Sequence, residues 1–216
     1  LMGDATELRT GEVAQRIREN RLIVILRRVE PQSQLLEIVD ELADAGARVF
    51  EVTFDAPSAA DDLRAIRSLL TGRSDGPFTL GAGTLLTRDQ FDAARDAGAD
   101  FGVSPMLDLD LLPRALDASW PFIPGGLTPT ELRAGWEHGA TFMKLFPASA
   151  VGPQLIRELR GPLPEIEVIP TGGVDGSNAT AFLEAGAVAV GLGSAIVRTT
   201  PIERRGIIQS ISGAKP

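Results

Sequence analysis

Residues 32–54 read QSQLLEIVDELADAGARVFEVTF and contain one complete helix-to-strand unit. The first part places four apolar residues on one helical face: Leu35, Leu36, Val39 and Leu42. This spacing predicts an amphipathic helix over 32–45. Gly46 follows, and glycine readily adopts the left-handed backbone that ends a helix. The almost wholly apolar residues 49–54 then predict a short strand that is buried on both faces, as in a parallel sheet.

The same helix-to-strand joint occurs three more times. Each copy has an acidic residue at the first position, glycine at the third and alanine at the fourth, and the copies lie at 96–99, 137–140 and 184–187. Such a joint is the repeating unit of α/β proteins. Its repetition predicts parallel strands that are joined by right-handed crossovers.

Eight short apolar segments bounded by glycine or proline fit this repeat. We predict strands over 22–28, 49–54, 78–84, 101–105, 121–125, 141–147, 167–173 and 187–194. Eight βα units in about 175 residues close most naturally into a barrel, and a doubly wound open sheet is the alternative. We therefore predict an α/β fold, a single-domain (β/α)₈ TIM barrel over 1–216. Its parts are an extra N-terminal helix at 4–20, barrel strands and crossovers at 22–195, and a C-terminal helix or tail at 196–216.

The composition restricts the classes of function. The 216 residues carry a formal net charge of -8, which disfavours binding to nucleic acid, since that needs a basic face. The absence of cysteine excludes disulfides and thiolate metal sites, and a single histidine, His138, argues against a histidine-rich metal centre. No apolar run reaches the ~18 residues of a membrane span, and the first residues do not read as a signal peptide. We expect a cytoplasmic protein that has no membrane partner.

Lysine is rare in this chain, which has two lysines and nineteen arginines. Lys144 lies in the predicted strand 141–147 between Met143 and Leu145. Burial disfavours a charged amine and so lowers its pKa, and a neutral amine can attack a ketone to form a Schiff base. We predict that Lys144 is a nucleophile. The alternative is a lysine that pairs with a buried carboxylate or extends its amine to solvent at a strand edge.

Barrel enzymes place their active sites at the carboxyl ends of the strands. Glu51 and Thr53 are two positions apart in one strand and so point to the same side. Glu51 is either a proton shuttle or a structural ion-pair partner of Lys144. The glycine-rich turns at 172–173 and 191–194 follow the last two strands, and such turns let backbone N–H groups approach a phosphate.

Seven motifs occur in an order that resembles the 2-keto-3-deoxy-6-phosphogluconate (KDPG) and 4-hydroxy-2-oxoglutarate (KHG) aldolases. This family includes a 2-keto-3-deoxy-6-phosphogalactonate (KDPGal) branch. The motifs are EVT at 51–53, GAGT at 81–84, VSP at 103–105, IPG at 123–125, KLFPA at 144–148, PTGG at 170–173 and GS at 193–194. The resemblance implies a class I aldolase that reversibly cleaves a phosphorylated 2-keto-3-deoxy sugar acid, preferably KDPG, to pyruvate and glyceraldehyde 3-phosphate. It also implies a homotrimer that needs no cofactor and no metal.

The resemblance further implies a role for each matched position. Lys144 corresponds to the Schiff-base lysine, and Glu51 to the general acid/base, which works through a water. The residues expected at the substrate are Arg27, Thr53, Thr84, Pro105, Phe146 and Thr171. The residues expected around the phosphate are Gly172, Gly173, Gly193 and Ser194.

Asp55 departs from the family pattern. Many gluconate-type members have an arginine at this position, where it can bind the substrate carboxylate, and an anion cannot do so. We expect Arg27 to make that contact instead. Thr171 matches the gluconate type, whereas the galactonate branch can have valine there. The sequence therefore mixes features of both branches, and KDPGal and KHG are the alternative substrates.

Two other functions fit the same residues. A metal-independent phosphosugar isomerase or epimerase would use Glu51 as its base and Lys144 as an electrostatic group. A non-catalytic barrel would only bind a phosphorylated metabolite. Trapping of a covalent imine separates the aldolase from both.

Overall fold

The computed structural model describes residues 5–213, and within them the chain forms nine short strands. They are β1 (Leu22–Leu26), β2 (Val49–Thr53), β3 (Thr79–Gly83), β4 (Phe101–Val103), β5 (Phe122–Ile123), β6 (Gly125–Gly126), β7 (Met143–Leu145), β8 (Val168–Pro170) and β9 (Val190–Leu192). Every strand residue is buried, as the continuous apolar runs in the sequence predict.

Eleven α-helices lie in the same part of the chain. They are α1 (Ala5–Thr10), α2 (Glu12–Asn20), α3 (Gln32–Asp44), α4 (Ala59–Thr71), α5 (Arg88–Asp96), α6 (Leu111–Asp117), α7 (Pro129–Glu137), α8 (Gly152–Leu159), α9 (Ala179–Glu184), α10 (Ser194–Val197) and α11 (Pro201–Gly213). None of these helices is long and apolar enough to cross a membrane.

The four glycine joints are confirmed. Gly46, Gly98, Gly139 and Gly186 all have positive φ, between 89° and 110°, directly after α3, α5, α7 and α9. A left-handed residue at this point ends the helix and turns the chain toward the next strand. The positions of β2, β4, β7 and β9 follow from these turns.

The terminal helices differ from their prediction. The segment predicted as one helix over 4–20 forms α1 and α2, which are separated at Gly11, and its first residue lies outside the described range. The C-terminal segment predicted over 196–216 is ordered as α10 and α11, and α10 already begins at Ser194. Residues 214–216 lie outside the described range.

All strand pairs are parallel, but the strands form two sheets in place of the predicted eight-stranded barrel. One sheet has the order β5-β4-β3-β2-β1-β9, and the other has the order β6-β7-β8. The predicted strand 121–125 is divided at Pro124, because proline has no N–H to give to a ladder. The structure is thus an α/β fold built on a curled parallel sheet.

The smaller of two apolar clusters fills the inside of this curl at the amino ends of the strands. Ala14 and Ile17 of α2 pack there against Val49, Phe101 and Phe142. At the same end the guanidinium of Arg18 lies 4.9 Å from the ring centre of Phe142 and pairs with Glu167. Helix α2 therefore covers the amino end of the sheet and leaves the carboxyl ends of the strands open.

Ile17→Ala tests whether α2 is part of the core. Ile17 is 1% exposed, so we expect the substitution to lower the free energy of unfolding by about 2–4 kcal/mol, as deletion of buried aliphatic side chains does. Urea denaturation measures this change. Ile202→Ala is the control, because Ile202 is 86% exposed, and it should change stability by less than about 0.5 kcal/mol. Equal stability of the two variants would show that α2 does not close the core.

Candidate active site

A cleft of about 1080 Å³ opens at the carboxyl ends of the strands. Lys144 of β7 lines it, together with Arg27 and Arg28, which directly follow β1. Turns after β8 and β9 form another wall, through Thr171, Gly172, Gly173, Gly193 and Ser194. The cleft therefore collects polar side chains and glycine-rich turns from distant parts of the sequence, as expected for this end of a parallel α/β sheet.

The amine of Lys144 is held in an apolar setting. The side chain is 4% exposed, and Nζ lies 5.1 Å from the ring centre of Phe146. No residue of the described range forms an ion pair with it. Burial lowers the pKa of Lys144 below the usual 10.5, the carboxylate of Glu51 opposes this shift, and Arg27 adds to it. The lowered pKa increases the fraction of the neutral, nucleophilic amine.

Glu51 is buried even more completely, at 2% exposure. Its Oε1 has no hydrogen-bond partner among residues 5–213. Burial raises the pKa of this carboxyl, while Lys144 and Arg27 pull it down. Glu51 and Lys144 are thus both pushed toward their neutral forms, a state in which the carboxyl carries the proton that the amine lacks.

Gly83 makes the position of Glu51 possible. A Cβ atom on Gly83 would lie 1.7 Å from Oε1 of Glu51, so the carboxyl occupies the space that a side chain would fill. Gly83 lies in β3 beside Thr53 of β2. In the sequence Gly83 stands out only as part of the GAGT motif, although a glycine inside a strand is a known sign of close approach by another group.

A second, much smaller cavity joins the two ionisable groups. Glu51, Lys144 and Thr171 line it together with apolar residues, and its volume is about 10 Å³. This is close to the lower limit for one water molecule. The two groups therefore share a space in which a single small molecule can bridge them, and the direct ion pair considered from the sequence is not formed.

Both arginines that follow β1 reach the cleft. Arg27 Nη2 donates a hydrogen bond of 3.1 Å to Oγ1 of Thr84. Strand β1 ends at Leu26, and Arg28 has a left-handed φ of 47°, so the strand alternation that would separate the two side chains no longer applies. Thr84 also has a left-handed φ, of 60°. Strained non-glycine residues of this kind cluster at functional sites.

The glycine turn after β8 is shaped by its backbone. Gly172 and Gly173 have φ values of 85° and 77°. A Cβ atom on Gly173 would lie 2.4 Å from Cβ of Ser149. The side-chain amide of Asn178 donates a 2.9 Å hydrogen bond to the carbonyl of Gly173 and so braces the turn. Any residue with a Cβ atom would be strained or would clash at these two positions, so only glycine fits the turn.

The structure does not bring every predicted site residue to the cleft. Thr53 is buried, and its hydroxyl donates a long 3.4 Å hydrogen bond to the carbonyl of Leu26. Pro105 packs with its carbonyl against Gly125. Neither residue lines the cleft, whereas Phe146 and the glycine turns do.

One contribution was not anticipated from the sequence. Asp55 contacts both Arg27 and Arg28. The sequence shows only that Asp55 departs from the family pattern, because a single sequence does not show which side chains contact a loop residue.

A model of the family "Aldolase: KDPG and KHG aldolase" matches residues 13–211. The 2-dehydro-3-deoxy-phosphogluconate aldolase of Haemophilus influenzae is 34% identical over 81% of this chain and 80% of its own length. The 2-dehydro-3-deoxy-6-phosphogalactonate aldolase of Escherichia coli is 34% identical over 82% of this chain and 84% of its own. These two relatives, one from each branch, have the same identity to this chain.

One similar structure has been solved with a covalent reaction intermediate. It is the KDPG aldolase of Legionella pneumophila with pyruvate captured as a covalent carbinolamine intermediate. It matches with a TM-score of 0.79 and 26% identity, over 96% of this chain and 99% of that one.

The titration of Lys144 tests its setting directly. Protein labelled with ¹³C at the lysine ε carbon gives two signals, because Lys144 and Lys215 are the only lysines in the sequence. We expect the Lys144 signal to titrate below pH 10.5, since burial lowers its pKa. In Glu51→Gln it should titrate lower still, because the carboxylate that raises the pKa is gone.

Lys144→Met removes one signal and so assigns the other. Titration of Lys144 at or above pH 10.5, or an upward shift in Glu51→Gln, would contradict the proposed environment of the amine.

Proposed function

Since this chain belongs to the KDPG and KHG aldolase family, whose members are class I aldolases, we propose that it cleaves KDPG through a Schiff base on Lys144. The observation that carries the proposal is a buried lysine of lowered pKa that shares a small cavity with a buried carboxyl. Family membership sets aside the isomerase and the non-catalytic binder.

The reaction begins at the amine. Neutral Lys144 attacks the C2 carbonyl of the substrate, and the resulting carbinolamine loses its hydroxyl as water to give an iminium. Glu51, whose pKa is raised by burial, supplies the proton that the leaving hydroxyl takes up. A pyruvate carbinolamine has been captured in the Legionella pneumophila relative.

Carbon–carbon cleavage follows from the iminium. The electron pair of the C3–C4 bond moves to the iminium nitrogen, and the C4 hydroxyl gives its proton to ionised Glu51 through a water in the small cavity. Glyceraldehyde 3-phosphate leaves, and Glu51 passes the proton it has just accepted to C3 of the enamine, which becomes an iminium again. Water then hydrolyses the iminium, which releases pyruvate and the neutral amine, and the proton set free returns to Glu51.

The two ends of the substrate meet different kinds of partner. Arg27, which extends from the end of β1 and donates a hydrogen bond to Thr84, binds the carboxylate of the 2-oxo acid, and Phe146 lies beside the pyruvate half. The backbone of the glycine turns holds the phosphate. A left-handed glycine pair beside a second turn at a neighbouring strand end supports this assignment.

Thr171 supports the gluconate configuration. Its side chain lies over Gly191, where a Cβ atom would come within 2.5 Å of its Oγ1, and it lines both the cleft and the small cavity. The hydroxyl of Thr171 is thus near Lys144, and there it forms a hydrogen bond with the C4 hydroxyl of the substrate. The aspartate at position 55 favours KDPGal as the second candidate substrate, since the usual gluconate-type arginine is missing there, and KHG is a further alternative.

We also propose a location and a closed architecture for the chain. We place the chain in the cytoplasm as a single domain whose two sheets close into one barrel. Two seams support closure: the N–H of Lys144 donates to the carbonyl of Pro124, and Thr171 forms an isolated parallel bridge with Gly191. The scheme uses no cofactor or metal and involves neither nucleic acid nor membrane.

We also propose a homotrimer, as the family resemblance implies. Three large apolar side chains are exposed on the loops after β3 and β4: Leu86, Met106 and Leu109. Strands β3 and β4 are neighbours in the sheet, so these loops are the surface on which we place the contact between chains.

Thr171→Val tests the substrate assignment. Release of pyruvate, coupled to lactate dehydrogenase, is measured with KDPG, KDPGal and KHG. We expect the wild-type chain to have its highest kcat/KM with KDPG. The variant should lose about tenfold with KDPG but less than about twofold with KDPGal, because only the first substrate loses a hydrogen bond.

Lys144→Met is the control and should release no pyruvate from any of the three substrates. A wild-type preference for KDPGal would overturn the choice of substrate alone. Turnover by Lys144→Met would overturn the catalytic role of Lys144.

A further inference from the structure

Asp55 lies beside the cleft but has no part in the reaction scheme. Its Oδ2 is 3.3 Å from Nε of Arg28 and 3.8 Å from Nη1 of Arg27. Its backbone carbonyl accepts a 2.8 Å hydrogen bond from Nη2 of Arg28. One residue thus contacts both guanidinium groups at the carboxylate end of the cleft.

The carboxylate of Asp55 has no local structural task in the described range. Aspartate in a turn before a helix usually accepts hydrogen bonds from nearby backbone N–H groups. Here Asp55 comes four residues before α4, and no backbone N–H of residues 5–213 donates to it. Its Oδ1 is buried without a partner in the same range. The charged contacts of this carboxylate within the described range are those with Arg27 and Arg28.

Arg27 needs such a contact to have a defined position. Its side chain is 54% exposed and, among residues 5–213, makes one hydrogen bond, to Thr84. A long exposed side chain loses considerable conformational entropy when it is fixed in one place. The carboxylate of Asp55, 3.8 Å from the other terminal nitrogen, Nη1, limits the orientations that remain.

We propose that Asp55 is a positioning residue, which holds Arg27 so that its guanidinium faces the carboxylate of the bound 2-oxo acid. This inference rests on the proposed role of Arg27. Asp55 acts through Arg27 and does not touch the substrate. An anion at the carboxylate end of the site, which cannot bind a carboxylate itself, is thereby explained.

Exchange of the methyl protons of pyruvate with deuterated solvent gives a suitable assay. It needs imine and enamine formation but no aldehyde or phosphate, so it reports only on the pyruvate half of the site. In Asp55→Ala we expect the half-saturating pyruvate concentration to rise about tenfold, a typical effect of losing one defined charged contact. The maximal exchange rate should stay within about twofold, since the chemistry at Lys144 is unchanged.

A double-mutant cycle shows whether Asp55 acts through Arg27. Arg27→Ala alone should raise the half-saturating concentration. Asp55→Ala, added to Arg27→Ala, should then change it by less than about twofold, because no guanidinium remains to be positioned. Asp55→Glu should restore part of the wild-type value. Asp92→Ala, which removes the exposed pair of Asp92 with Arg114, should have no effect.

The possible results are distinct. Additive effects of the two substitutions, or tighter pyruvate saturation in Asp55→Ala, would overturn the inference and leave the role of Arg27 intact. Normal saturation in Arg27→Ala would overturn both. Asp55→Asn, which keeps the size of the side chain and removes its charge, is the second variant if Asp55→Ala does not fold. It should raise the half-saturating concentration about threefold, and an unchanged value would also overturn the inference.

Discussion

The burial of Lys144 opposite Glu51, without a direct ion pair, is the constraint on which the rest of the structure depends. Two ionisable side chains in an apolar interior are tolerated only if other interactions of the fold offset the free-energy cost of their desolvation. Helix α2 closes one end of the curled sheet, and Gly83 leaves space for the carboxyl. Burial raises the pKa of Glu51 and lowers the pKa of Lys144, so it favours the neutral form of each group. Imine formation requires a neutral amine and a protonated acid.

Cationic groups and glycine turns both contribute to the cleft wall. The protein is acidic overall, with a net charge of -8, yet Arg27 and Arg28 lie together directly after β1. Another part of the wall is formed by glycine turns, which can bind an anion through backbone N–H groups. An anionic substrate with a carboxylate at one end and a phosphate at the other fits this arrangement. The equal similarity to relatives of both branches agrees with a site that combines features of each.

Local sequence patterns predicted those parts of the fold that local physics controls. The left-handed glycines at the four joints and the buried strands follow from backbone freedom and from apolar runs. Lys144 could also be selected from the sequence as a candidate nucleophile, because a lone lysine in an apolar strand is unusual, and the structure places it in the wall of the cleft. The division of one strand at Pro124 was missed, although proline cannot donate to a ladder. The partnership of Asp55 with two arginines, and of Gly83 with Glu51, depends on contacts between strands that a single sequence does not display.

Covalent trapping is the most direct test of Lys144 as the nucleophile. The protein is incubated with pyruvate, the imine is reduced with borohydride, and the product is examined by intact and peptide mass spectrometry. We expect one stable pyruvate adduct per chain, located on the peptide that contains Lys144 and absent in Lys144→Met. No adduct, although Lys144 is accessible to a small amine reagent, or an adduct on Lys215 alone, would contradict the assignment.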